Sequence, residues 1–118
     1  MKIKNLDIRA SIVGYSNASS KDLEIPFTTI YKIRKNMSKL EAASKPIDLT
    51  LKDIINKYTE TDNQGNTVYK DKTKLEEEIR KVEDIETEVE IDMIPISEFG
   101  DIKVSPAFMN AIYFMLKD

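Results

Sequence analysis

The amino-acid sequence predicts an α+β protein dominated by helices. It comprises a long bent helix, an acidic helix and an apolar C-terminal helix with a small sheet or hairpin, in a single domain over 1–118. Three observations predict this. Ile30, Ile33, Met37, Leu40, Ser44, Ile47, Leu51, Ile54 and Tyr58 alternate steps of three and four residues, which puts eight apolar side chains and one serine on one helical stripe. Glu88, Glu90 and Asp92 alternate with Val89, Ile91 and Met93, the period of a half-buried strand. A chain of 118 residues, 41% hydrophobic with only 3 Gly and 4 Pro, suits one compact domain better than a disordered segment.

The elements follow in order. Over 3–15, Leu6, Ala10 and Val13 form one helical line with Ile3 a turn earlier, and Ile8 with Ile12 forms a second. A short helix is expected, with a β-branched strand as the alternative. NASSKD (17–22) has the small polar residues of a turn. Leu23–Ile25 is steered toward extended geometry by Pro26, which suits the first turn of the long helix. That helix runs to about Glu60. Pro46 lies inside it, where the missing amide and the crowded carbonyl of Ala42 predict a bend, or two segments with Asp48 and Thr50 capping the restart.

TETDNQGNTVY (59–69) reads as a hairpin or tight loop, with Asp62-Asn63-Gln64-Gly65 as a type I turn. Its spacing fails as an EF-hand, because Thr73 stands where the bidentate glutamate belongs. Asp71 is placed to cap a helix over Lys72–Asp84, whose apolar line is Leu75, Ile79 and Val82. Glu88–Ile94 is the expected strand, an edge strand or one that ends at Pro95. Its partner would be Thr67–Tyr69, Leu23–Ile25 or another subunit. After Gly100, Ser105-Pro106 caps a last helix over Pro106–Lys117. Phe108, Met109, Ile112, Tyr113, Met115 and Leu116 wrap most of that helix, so it is expected in the middle of the fold or shared between subunits.

Composition excludes most chemistry. Cysteine, histidine and tryptophan are absent, so no thiol nucleophile, disulfide, Cys-rich zinc site or unperturbed neutral-pH titrating group exists. The three glycines cannot form a phosphate-binding GxGxxG or GxxxxGK[ST] loop, and no HExxH, CxxC or GxSxG occurs. The carboxylates between Glu76 and Glu86 carry no ligand spacing for a metal and read as a solvated face. No cofactor is implied. No apolar run approaches the ~18 residues of a membrane span, and Asp7 and Arg9 interrupt any signal-like segment, so a cytoplasmic protein is expected.

The net charge of −3 hides a gradient. Residues 27–60 hold seven Lys or Arg against four Asp or Glu, and residues 71–92 hold ten acids against four bases. The two segments would attract each other within the domain, or the acidic one would face a basic partner. The partner-facing candidates are Glu76, Glu77 and Glu83 on the acidic helix and Glu88, Glu90 and Asp92 on the strand. The densest basic patch, Tyr31, Lys32, Arg34 and Lys35 with Lys39 a turn on, is the alternative site for a small anionic ligand, or else a solvated helix face. An acidic chain without a tight Lys/Arg cluster is a poor nucleic-acid binder.

IPFTTIYKIRKNMSKLE, IINKYTETDNQGN and VEIDMIPISEFGDIKVSPAFMNAIYFML, in that order over about residues 25–116, resemble a family of small uncharacterised proteins of bacteriophages infecting low-GC Gram-positive bacteria. Pro46-Ile47-Asp48 departs from the unbroken charged helix of that family. The resemblance implies a phage origin and a place in the host cytoplasm or in virion assembly, with no activity attached. The expected function is a non-enzymatic accessory protein that binds a host protein. The alternatives are a homo-oligomer that sequesters an anionic ligand such as a signalling nucleotide, and a structural component of the virion.

Overall fold

A computed structural model describes residues 1–18, 24–100 and 104–118. The fold is α+β and mostly helical. Its elements are β1 (Lys2–Lys4), α1 (Asn5–Ala18), α2 (Phe27–Tyr58), β2 (Thr59–Thr61), β3 (Thr67–Tyr69), α3 (Lys72–Glu83), β4 (Glu86–Glu88), β5 (Ile94–Pro95), α4 (Pro106–Ala111) and β6 (Leu116–Lys117). Single 3₁₀ turns cover Ile96–Phe99 and Tyr113–Met115.

α2 is the spine, 32 residues long, or about 48 Å at 1.5 Å per residue. Its predicted stripe is the face that packs: Ile30, Ile33, Met37, Leu40, Ser44, Ile47 and Leu51 are buried, and Ile54 and Tyr58 are half-buried. The helix runs through Pro46 as one element. No restart forms there, so Asp48 and Thr50 do not act as caps. Asp48 instead accepts from Arg9 Nε at 3.1 Å, and the Thr50 hydroxyl donates to the Pro46 carbonyl at 2.7 Å. Pro26 stands just outside the helix; its carbonyl accepts from Thr29 and Ile30 N–H, both at 3.0 Å.

α1 packs on α2 and on α4, while α3 packs on α2. Of the two apolar lines of α1, the second, Ile8 with Ile12, faces inward and the first does not. Leu6 and Val13 are 47% and 59% exposed, whereas Ile8 and Ser11 are buried and Ile12 and Tyr15 pack against the core. Ser11 lies on that inward side, where its hydroxyl donates to the Ala111 carbonyl at 2.5 Å and so satisfies a buried polar pair. Gly14 permits the close approach to α4: a Cβ there would lie 3.2 Å from Ala111 Cβ. Of the turn expected over 17–22 only Asn17 and Ala18 are described, and they belong to α1. Of the extended segment expected over 23–25, Leu23 lies outside the described residues, while Glu24 takes 3₁₀ geometry and the buried Ile25 a bend ahead of Pro26.

β2 and β3 form the expected antiparallel hairpin, with Thr59 opposite Tyr69 and Thr61 opposite Thr67. Asp62 organises its loop, its carboxylate accepting from Gln64 and Asn66 N–H and its carbonyl from Gly65 N–H at 3.1 Å. Gly65 has φ 81°, the left-handed value that closes such a turn. Asp71 caps α3 as predicted, accepting from Lys74 N–H at 3.1 Å.

The strand expected over Glu88–Ile94 does not form. The ladder covers Glu86–Glu88 and pairs antiparallel with β1, Lys2 opposite Glu88 and Lys4 opposite Glu86, so none of the three expected partners is used. Opposite charges across this pair favour that register. Beyond it the N-terminal amine donates to Val89 O at 3.0 Å and to Glu88 Oε1 at 2.6 Å. Further along, β5 pairs parallel with β6, Ile94 beside Leu116.

The last helix is also shorter than predicted. It ends at Ala111, and the chain turns through 3₁₀ geometry so that Leu116 reaches β5. Phe108, Ile112 and Met115 are fully buried, while Tyr113 is 75% exposed. Ser105 caps the helix, accepting from Phe108 N–H at 3.1 Å. The molecule is elongated, 56 × 30 × 20 Å, with a radius of gyration of 17.6 Å.

Candidate functional site

The core stripe of α2 fixes what its opposite face must show. With Ile30, Ile33 and Met37 turned inward, the 3.6-residue period turns Phe27, Tyr31, Arg34, Lys35 and Ser38 outward. Phe27 is 81% exposed and Tyr31 68%, two aromatic rings one turn apart with little of the fold over them. Two shallow grooves meet at Tyr31. One, of about 480 Å³, is lined by Phe27, Thr28, Tyr31, Lys32, Lys35 and Asp92. The other, of about 400 Å³, is lined by Tyr31, Arg34, Lys35, Ser38 and Lys39.

Two carboxylates from the C-terminal half organise the cations. Lys32 Nζ lies 2.9 and 2.8 Å from the two Glu98 carboxylate oxygens, and the buried Thr29 hydroxyl donates to the Glu98 carbonyl at 2.7 Å. Lys35 Nζ is 3.1 Å from Asp92 Oδ2. Asp92 is held by Asn36, which is 0% exposed: its Nδ2 donates to Asp92 O and its Oδ1 accepts from Asp92 N–H, each at 2.9 Å. The amide thus does for Asp92 what a neighbouring strand would have done, and aims the carboxylate at Lys35.

Electrostatics follow from that placement. The hydrogen bond and charge of Lys35, then the charges of Lys39 and Lys32, hold the Asp92 carboxyl below the usual aspartate range, and Asp92 in turn raises Lys35. The pair's contribution is present above the ordinary aspartate range and is lost as pH falls through the lowered Asp92 value. At the other limit it is present below the ordinary lysine value and lost as pH rises through the raised Lys35 value. In Lys35→Gln, the Asp92 carboxyl is expected to titrate closer to its ordinary range, read from its side-chain carbon shift by NMR. An unchanged midpoint would mean that the pair does not form in solution.

The predicted site residues divide. Tyr31, Lys32, Arg34 and Lys35 do line contiguous grooves. Glu76 and Glu77 are exposed on α3, Glu83 is half-buried at its end, and Glu90 is exposed beyond the end of β4. Glu88 is committed to the N-terminal amine, which pulls its carboxyl below the usual glutamate range. Asp92 belongs to the basic face instead. Among the described residues, Lys35–Asp92 is the ion pair that joins the basic segment 27–60 to the acidic segment 71–92.

Phe27, Asn36, Ser38 and Glu98 were not singled out by sequence, whereas Lys39 was, as a neighbour of the basic patch. Phe27 was within reach, being an aromatic four residues before Tyr31 and off the buried stripe; Asn36 carried no signal. Among the described residues, no group of three or more acidic side chains is arranged to hold a metal ion, and no helix is long and apolar enough to cross a membrane. Comparison with known proteins finds no matching family model, no matching curated protein and no matching solved structure. What the face can do chemically is grip: rings for an apolar side chain, cations for a carboxylate or phosphoryl group.

Proposed function

We propose that this chain is a non-enzymatic accessory protein, of phage origin, that binds a host protein through the outward face of α2. The partner presents an acidic segment carrying an apolar side chain. The observation that supports this is the exposure of Phe27 and Tyr31 (81% and 68%) beside Arg34, Lys35 and Lys39. Exposed aromatic residues flanked by arginine have the composition of binding hot spots, and the grooves are open along the helix rather than enclosing, which suits a polypeptide better than a small molecule.

The test is affinity capture from host lysate with wild-type and variant chains. Phe27→Ala with Tyr31→Ala is expected to weaken capture of the host polypeptide by at least ~10-fold, as loss of a hot spot does. Glu76→Lys with Glu77→Lys, on α3, is expected to leave it intact. The opposite pattern would return the site to the acidic helix.

Sequestration of a small anionic ligand draws on one observation, the three cations Arg34, Lys35 and Lys39 around Tyr31. It predicts a rise in melting temperature with that ligand by mass action.

A further inference from the structure

We propose that a second copy of this chain occupies the Phe27–Lys39 face, seating the turn Glu83-Asp84-Ile85 on it. The proposal rests on the assignment of that face as a docking surface and adds the identity of one occupant.

The chain itself carries the segment that the face is suited to grip. Glu83 and Asp84 are followed by Ile85, a large apolar side chain left 54% exposed, and no basic residue occurs from Val82 to Asp92. The turn is rigid. Asp84 N–H bonds Arg80 O at 2.9 Å and Ile85 N–H bonds Val82 O at 3.3 Å. The buried Asn5 clamps it from below, its backbone N–H donating to Ile85 O and its side chain to Val82 O, each at 2.8 Å. A side chain presented from a fixed backbone loses little freedom on docking.

On the receiving side, Tyr31, Arg34, Lys35, Ser38 and Lys39 line one groove. Asp92 already places one carboxylate at its edge, on Lys35. Among the described residues neither Arg34 nor Lys39 makes an ion pair, and neither Glu83 nor Asp84 does. Within one molecule Ile85, Phe27 and Tyr31 all stay exposed, and among the described residues no ion pair links Glu83 or Asp84 to Arg34 or Lys39. Two molecules bring them together: Ile85 against the rings, and Glu83 and Asp84 against Arg34 and Lys39. Each copy has both patches, so the contact closes a pair or repeats along a chain of copies. The face would then be covered by its own kind until an acidic partner displaces it.

The experiment is sedimentation equilibrium of the full chain at roughly 20 mM and 500 mM salt, the latter shortening electrostatic reach to about 4 Å. The expected result is a mass above the monomer at low salt that rises with concentration, and a monomer at high salt. Arg34→Glu with Lys39→Glu, and separately Glu83→Lys with Asp84→Lys, are each expected to be monomeric at low salt. An equimolar mixture of the two variants is expected to regain the lost mass, as is one chain carrying all four changes.

Circular dichroism checks that each variant folds. If one does not, Arg34→Gln with Lys39→Gln and Glu83→Gln with Asp84→Asn replace them, with weakened association expected. A monomeric wild type at millimolar concentration and low salt overturns the proposal, and so does a reversal pair that leaves the wild-type mass unchanged or a mixture that stays monomeric. Loss of host-protein capture in Phe27→Ala with a strictly monomeric wild type would overturn self-docking and leave the docking face standing.

Discussion

Asn36→Ala is expected to cost about 2–4 kcal/mol of stability, because it removes two hydrogen bonds worth roughly 1 kcal/mol each and leaves a small void in the core. Asn36 is fully buried, and its side-chain amide both donates to and accepts from the backbone of Asp92. Urea denaturation would show the loss as a lower midpoint with little change in slope. Asn36→Asp makes the cause separable. It keeps an acceptor for Asp92 N–H, but it places a buried carboxylate against Asp92 O, where the amide had donated. It is therefore expected to be at least as damaging near neutral pH. In Asn36→Ala the segment holding Asp92 loses both bonds and in Asn36→Asp one, with a second negative charge beside it, so in both Asp92 should also titrate nearer its ordinary range. Wild-type stability in Asn36→Ala would show that water or a shifted backbone replaces the amide at little cost.

Pro46→Ala is expected to stabilise the protein by about 2 kcal/mol. An interior helical proline costs roughly 3 kcal/mol relative to alanine, and the greater freedom of the unfolded alanine chain returns part of that, up to about 1 kcal/mol. Pro46 is exposed within a continuous 32-residue helix, so the substitution sacrifices little packing and restores an N–H donor for the Ala42 carbonyl. For a chain of this size the change should raise the melting temperature by several degrees, on the order of 4 °C per kcal/mol. Scanning calorimetry would measure it. A lower melting temperature would mean that the ring fixes a backbone geometry which the packing of α2 requires.

The spine was legible because nine positions repeat one period, and propensity and burial agree along it as far as Leu51. The hairpin and the caps at Asp71 and Ser105 were legible too, since their residues act locally. The failures share a cause: polar residues that the fold buries. Ser11 looks like surface and is core, bonded to Ala111, so of the two apolar lines of α1 the line Ile8–Ile12 faces inward and Leu6–Val13 does not. Asn36 looks like surface and instead takes the place of a strand at Asp92, which ends the ladder that the alternation of 88–94 suggested.

The last helix stopped early for a tertiary reason. Neither glycine nor proline marks Ile112, and the chain leaves the helix to pair Leu116 with Ile94. At the site, the basic residues were visible as a cluster off the predicted stripe, and Phe27 was within reach on the same side; the carboxylates of Asp92 and Glu98 that meet them come from far along the chain and carried no local signal.

The long spine also governs how the molecule moves through solvent. A compact chain of this length has a radius of gyration near 13.5 Å, against 17.6 Å here. Friction rises with elongation, so a single molecule diffuses and tumbles as slowly as a rounder protein of greater mass. On a sizing column it should emerge early, at the position of something larger, without any association at all. Column position would thus make a lone molecule look like a pair. Its rotational correlation time should likewise depend on direction, slow for tipping α2 end over end and faster for spinning about it, an anisotropy visible in backbone ¹⁵N relaxation.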